Sequence, residues 1–167
     1  MKKVAKFLPC CSFVFALVAF ILLMTTPAIK VTSTVLGHSN DEYISGIEGI
    51  FGGDLYDATW AGLVAWILLI VALVATCCMT LLPFLKVKNS NKIVALCACL
   101  TAVMLVIVGV FTFIEVSAFK GVNGDISISI GSTASISCSL GIGWMFSGIA
   151  SCVAAALCCC STLANIK

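Results

Sequence analysis

The sequence predicts an all-α membrane protein: a four-transmembrane-helix bundle with a small extracytoplasmic β-sheet formed by the two outer loops. Three observations predict it. Four apolar runs approach or exceed the roughly 20 residues needed to cross a bilayer core. The two segments between the outer ends of those runs alternate or are β-branched, as strands require. Lysines and acids segregate between the two sets of connections. Composition agrees, since 62% hydrophobic and 10% charged residues over 167 positions lie far from the soluble average. We read one four-span domain over 1–167, with spans at about 7–24, 58–85, 93–114 and 140–163 and outer loops at about 25–57 and 116–139.

The first run, Phe7 to Met24, follows a basic flank, Met1-Lys-Lys-Val-Ala-Lys6, and carries Pro9 near its first turn, where proline is tolerated. It resembles a signal peptide. Its length, and the lack of a clean small-x-small cleavage site in Met24-Thr-Thr-Pro-Ala28, favour a retained helix. Val31 to Leu36 is β-branched and predicts a strand broken at Gly37. Ser39 and Glu42 have capping-box spacing, and Ile44, Ile47, Phe51 and Leu55 recur at helical spacing, so a short surface helix is expected there, weakened by Gly46, Gly49, Gly52 and Gly53.

The second and third runs, Ala58 to Leu85 and Ile93 to Ile114, carry no charge and no polar stripe, which a soluble helix of that length would need. Trp60 sits at interfacial depth. Ile126 to Ile130 and Ala134 to Cys138 alternate on either side of Gly131-Ser132, predicting a hairpin that pairs with the Val31 strand. The fourth run, Leu140 to Leu163, completes the bundle.

The Lys86 to Lys92 loop holds three lysines and no acid, which assigns it to the cytoplasm. With four spans, both termini join it there. That side then carries Lys2, Lys3, Lys6, Lys86, Lys88, Lys92 and Lys167, a charge of +7. The other carries Lys30 and Lys120 with all seven acids, a charge of −5. Asp41, Glu42, Glu48, Asp54, Asp57, Glu115 and Asp125 are read as a solvated acidic face, without the spacing of a calcium loop. His38 is read as a solvated loop residue. All nine basic residues are lysines, so the bidentate fork favoured by nucleotide and nucleic-acid sites is missing, and no nucleic-acid partner is expected. No catalytic triad, phosphate-cradling loop or helical metal motif appears, no acid is placed inside a span, and neither enzyme activity nor a cofactor is expected.

Ten of the eleven cysteines fall in the cytoplasmic half, a reducing setting, and Cys138 alone lies outside. Three readings stand: small apolar packing residues, lipidation of the juxtamembrane thiols Cys10, Cys11, Cys158, Cys159 and Cys160, and soft-metal or thiol chemistry involving Cys97 and Cys99. On the fourth span, Ser147, Ser151, Ala155 and Cys159 recur every four residues, with Gly148, Cys152, Ala156 and Cys160 alongside. Such a face lets helix backbones approach closely.

Four helices with cytoplasmic ends, a longer first outer loop, a shorter second one and strands in both resemble the claudin-like tetraspan arrangement. The resemblance is one of topology. The family's tryptophan, Gly-Leu-Trp and cysteine-pair motif does not occur in 25–57, and Thr76-Cys-Cys-Met79 differs from the Cys-Cys-Gly of tetraspanins. It implies a left-handed bundle capped by a small outer sheet. The function expected is a structural or partner-organising role in the cell membrane, through lateral helix packing. Membrane lipid and a homo- or hetero-oligomer are the expected partners. The alternatives are a small transport or channel component, serving a soft metal ion, and a membrane thiol oxidoreductase.

Overall fold

Four long helices form where the uncharged runs lie: α1 (Lys2–Thr25), α3 (Trp60–Leu81), α4 (Ser90–Asn123) and α5 (Ile142–Ile166). All four are long and apolar enough to cross a membrane. The computed structural model describes residues 2–36, 38–54, 56–82, 90–123, 129–130 and 134–166. Most of the lysine loop, residues 86–89, and most of the first half of the expected second hairpin, 126–128, lie outside the described residues. So do Gly37, Leu55, Asp125, Gly131-Ser132 and Lys167.

Side-chain size separates the inside of the bundle from its outside. Ala16, Ala19, Ala65, Ala72, Ala98 and Ala154 are buried, whereas Val74, Leu96, Leu100 and Val103 are more than half exposed. Small residues inside let the helices approach, and large aliphatics outside suit an apolar solvent. Helix α1 packs on α3 and α5, and α4 packs on the same two, giving a ring of four.

The α1–α5 seam is also hydrogen-bonded. Trp144 Nε1–H donates to the Leu23 carbonyl at 3.0 Å, Ser147 to Ala19 at 2.8 Å, and Ser12 to Ala154 at 2.9 Å. These three bonds set the antiparallel register over most of the helix length.

One end of the bundle carries a four-stranded antiparallel sheet in the order β2-β1-β4-β3. Its strands are β1 (Pro27–Val35), β2 (His38–Ser45), β3 (Ser129–Ile130) and β4 (Ala134–Leu140). The expected pairing of the two loops is present, with Val31 opposite Cys138 and Ser33 opposite Ile136. Ile29 and Ile44 point inward and are buried against the helix ends.

Three expectations need correction. Residues 38–45 form a strand, since Ser39, Asp41 and Glu42 pair with Thr34, Thr32 and Val31 of β1. The capping box is formed further along the chain by Ser45 and Glu48, which open the six-residue helix α2 (Gly46–Phe51). Ser-x-x-Glu occurs at both places, and pairing with β1 claims the first one. Helix α4 does not stop at Ile114. Val116 to Lys120 contains no breaker, so the helix runs on to Asn123 and takes Glu115 with it. Finally, Leu140 belongs to β4, opposite Ile29, so α5 begins at Ile142.

Candidate functional site

The structure removes Glu115 from the solvated acidic face expected for it and buries it fully where the bundle meets the sheet. Its surroundings are built from four elements. Thr59 is the N-cap of α3, with extended backbone, and its hydroxyl oxygen accepts the Gly62 N–H at 3.2 Å. This satisfies one of the N–H groups that every helix start leaves open. The single Thr59 hydroxyl proton faces two acceptors, the Gly49 carbonyl at 2.8 Å and Glu115 Oε1. The Thr59 N–H also reaches the Gly49 carbonyl, at 3.2 Å. Helix α2 is thereby fastened to the start of α3, and both to α4.

The knot closes only because two positions lack a side chain. A Cβ on Gly62 would lie 2.8 Å from Thr59 Oγ1, 3.1 Å from the Trp144 ring and 3.3 Å from Glu115 Oε1. One on Gly49 would lie 2.9 Å from Ala28 Cβ. Trp144 therefore roofs the carboxyl from α5, while its own N–H is committed to Leu23 of α1. Glu115 Oε2 is buried without a hydrogen-bond partner among the described residues, as is Trp66 Nε1 one turn beyond Gly62. A buried carboxyl with one unmet oxygen is the feature in this molecule that packing alone does not explain.

The other acids divide by role. Asp41 Oδ2 lies 2.8 Å from Lys30 Nζ, and its Oδ1 accepts the Thr32 hydroxyl at 2.7 Å. The Lys30 ammonium, followed by Thr32, holds the Asp41 carboxyl below its usual range, and Asp41 in turn raises Lys30. Glu48 is taken up by the capping box. Glu42, Glu48 and Asp54 line a cleft of about 390 Å³ between the sheet and α2, together with Tyr43 and Tyr56. His38 is exposed at the start of β2.

Of the residues predicted to pack on α5, Ser147, Ser151 and Ala155 are buried, and the Ser151 hydroxyl donates to the Ser147 carbonyl at 2.9 Å. Cys159 is exposed, and Cys158 continues the buried face, with Sγ 3.0 Å from Ser12 Oγ. Strict four-residue spacing advances about 40° per step on a 3.6-residue helix, so the stripe drifts off the interface after two steps and a three-residue step restores it. Of the thiols placed for lipidation, Cys10, Cys11, Cys159 and Cys160 are exposed and Cys158 is buried. Cys97 is half-buried and Cys99 exposed, and among the described residues no three cysteine, histidine or acidic groups converge as a metal site.

Sequence reasoning misses Glu115 because it stands at the edge of an uncharged run, where a charge is naturally assigned to the following loop. The available signal is the absence of any glycine or proline between Thr112 and Lys120, which lets the helix carry it. No family model and no curated protein sequence matches the chain.

Proposed function

We propose that the chain is a non-enzymatic, four-span protein of the cell membrane that holds a small β-cap rigidly against one membrane face and organises partners around it. In this reading the lysine loop and both termini are cytoplasmic, and the cap is outside. The observation that carries it is the Glu115 knot. The Thr59 hydroxyl and Glu115 Oε1 fasten α2 and α3 to α4, with Trp144 of α5 closed over them, which is how a support is built.

Orientation is tested with impermeant thiol labelling of intact cells. Ser39→Cys on exposed β2 should react above the wild-type background, and Asn91→Cys at the start of α4 should not. The reverse pattern overturns the orientation. The role is tested by crosslinking in native membranes, from a photoreactive residue at exposed Tyr43. A single recurring partner, or a second copy, supports an organising role, and a chain with no neighbour overturns it.

A second reading is favoured by Glu115 Oε2. An ionisable group buried in a membrane helix is a default mark of an ion path. A small transport component would then use Glu115 in place of the cysteines. In liposomes, proton or monovalent-cation flux abolished by Glu115→Gln in a folded protein establishes it, and equal flux in both proteins removes it.

A further inference from the structure

At the far end, away from the sheet, Cys158 and Cys97 pack into the core, but most of the cysteines face outward. Cys10 and Cys11 on α1, Cys78 on α3, Cys99 on α4, and Cys159 and Cys160 on α5 are all exposed, and of the neighbouring thiols only Cys158 is buried. The structure places them at similar depth. The Ser12–Cys158 contact sets the α1 and α5 thiols at one level. At 1.5 Å per residue, Cys158 lies about 21 Å from Trp144, Cys99 about 24 Å from Glu115, and Cys78 about 28 Å from Thr59. The six form a belt around all four helices, within roughly 10 Å of the far boundary of a ~30 Å apolar layer.

The belt contrasts with the rest of the outward surface. Nearer the sheet the outward positions of α3 and α4 are filled by Ile67, Val71, Val106 and Val110, large aliphatics that fit among acyl chains. At the belt, among outward leucines such as Leu81, Leu96 and Leu100, every helix also presents a short nucleophile. Neighbouring cysteines diverge by about 100° around a helix, so they do not converge on an ion within one chain. We propose that the belt is an S-acylation site, whose substrate is a long-chain acyl thioester of the coenzyme A type.

In the step, a cysteine thiolate attacks the thioester carbonyl. A new S–C(acyl) bond forms, the old one breaks, and the leaving coenzyme thiolate takes up the proton the cysteine gave away. Nothing is oxidised or reduced. The attached chain fills the space beside the helix that a short thiol leaves. The proposal rests on the membrane-spanning reading proposed for this chain.

The test uses the full chain from its native membranes. Free thiols are blocked with maleimide, thioesters are cleaved with neutral hydroxylamine, and the released thiols are tagged with a polyethylene-glycol maleimide. Two or more hydroxylamine-dependent mass steps are expected. They should persist in Cys158→Ser and vanish when Cys10, Cys11, Cys78, Cys99, Cys159 and Cys160 are all replaced by serine. Peptide mass spectrometry of the unaltered chain reads the same modification without any variant. A fatty-acyl mass on the peptides carrying Cys10–Cys11 or Cys159–Cys160 supports the site, and unmodified thiols throughout overturn it. A chain that resists alkaline extraction but carries only unmodified thiols overturns the acylation alone. A chain released by alkali overturns the membrane reading as well.

Discussion

The two ends of the bundle are held together by different chemistry. At the sheet end, buried side-chain donors reach from one element to another: Trp144 and Ser147 to α1, and Thr59 to both α2 and α4. At the far end, Ser12 contacts Ala154 and Cys158 and Thr162 donates to the Ala95 carbonyl, while most of the surrounding thiols face outward. The sheet end is specified from within, by groups that stay unpaired if the geometry changes. The far end combines small-residue packing with the Ser12 contacts and the Thr162 bond to α4, and presents most of its thiols to the surroundings.

The largest effect should come from removing the centre of the knot. Glu115→Ala takes an acceptor from Thr59 and leaves a cavity among Gly49, Gly62 and Trp144, and should cost about 2–4 kcal/mol. The loss is read as a lower midpoint of thermal unfolding in detergent. Glu115→Gln keeps the volume and one acceptor, and should cost less than half as much. Equal losses in the two variants would break the contrast, because the charge and not the knot's volume would then hold the sheet end.

Ser151→Leu comes next. Ser151 is fully buried on the α5 interface, so the bulk a leucine adds has nowhere to go, and roughly 1–3 kcal/mol of overpacking strain is expected. Val153→Leu, on an exposed position of the same helix, should be neutral within about 0.5 kcal/mol. If size-exclusion profiles and melting of the two variants coincide, α5 does not pack as described.

Gly62→Ala tests the sheet end more gently. The methyl meets Thr59 Oγ1 and the Trp144 ring at once, and about 1–2 kcal/mol of destabilisation is expected. Gly121→Ala, where an added Cβ meets nothing within 4 Å, should be neutral or slightly stabilising. Thermal midpoints of the two alanine variants, measured side by side, check the difference.

The smallest effect concerns the exposed Lys30–Asp41 pair. Asp41 has a lowered pKa when folded, so its contribution is present above the ordinary carboxylate value. That contribution disappears as pH falls through the lowered one. Lys30, raised when folded, keeps its share below the ordinary lysine value and loses it as pH climbs through the raised one. Between about pH 5 and 9 the pair should therefore be flat, and Asp41→Asn should change melting little in about 0.15 M salt. A midpoint that moves with pH inside that window, in wild type but not in Asp41→Asn, would contradict this assignment.

Much of this architecture is legible in the sequence, and the physical reason differs by element. Helices α1, α3 and α5 follow from uncharged length alone, and the β1–β4 pairing from alternation. The end of α4 is not legible from charge, because a single acid such as Glu115 does not stop a helix; a breaker does. Strand β2 is hidden by Asp41 and Glu42, residues poor in strands, of which Asp41 is stabilised here by its directly opposite partner Thr32 and by a diagonal ion pair with Lys30. The packing face of α5 can be seen in type but not in phase. Spacing by fours drifts, and only contact with α1 selects Cys158 over Cys159. The knot itself joins residues far apart in the chain, which no local pattern reveals.

The seam between α1 and α5 sets the order in which this protein can be finished. Its bonds join residues 121 to 146 positions apart, from Trp144–Leu23 to Ser12–Cys158. The central strand β1 likewise waits for β4, about a hundred residues downstream. During synthesis, α1 and the first hairpin emerge early and stay half-partnered until the last helix arrives. The cap lacks its last strand until β4 is made, and the bundle its last helix until α5 follows. Such long-range closure is slow, and it exposes the unfinished chain to unwanted neighbours. Premature termination before Ala134 therefore yields a chain in which neither layer is complete, and quality control should remove it as a whole.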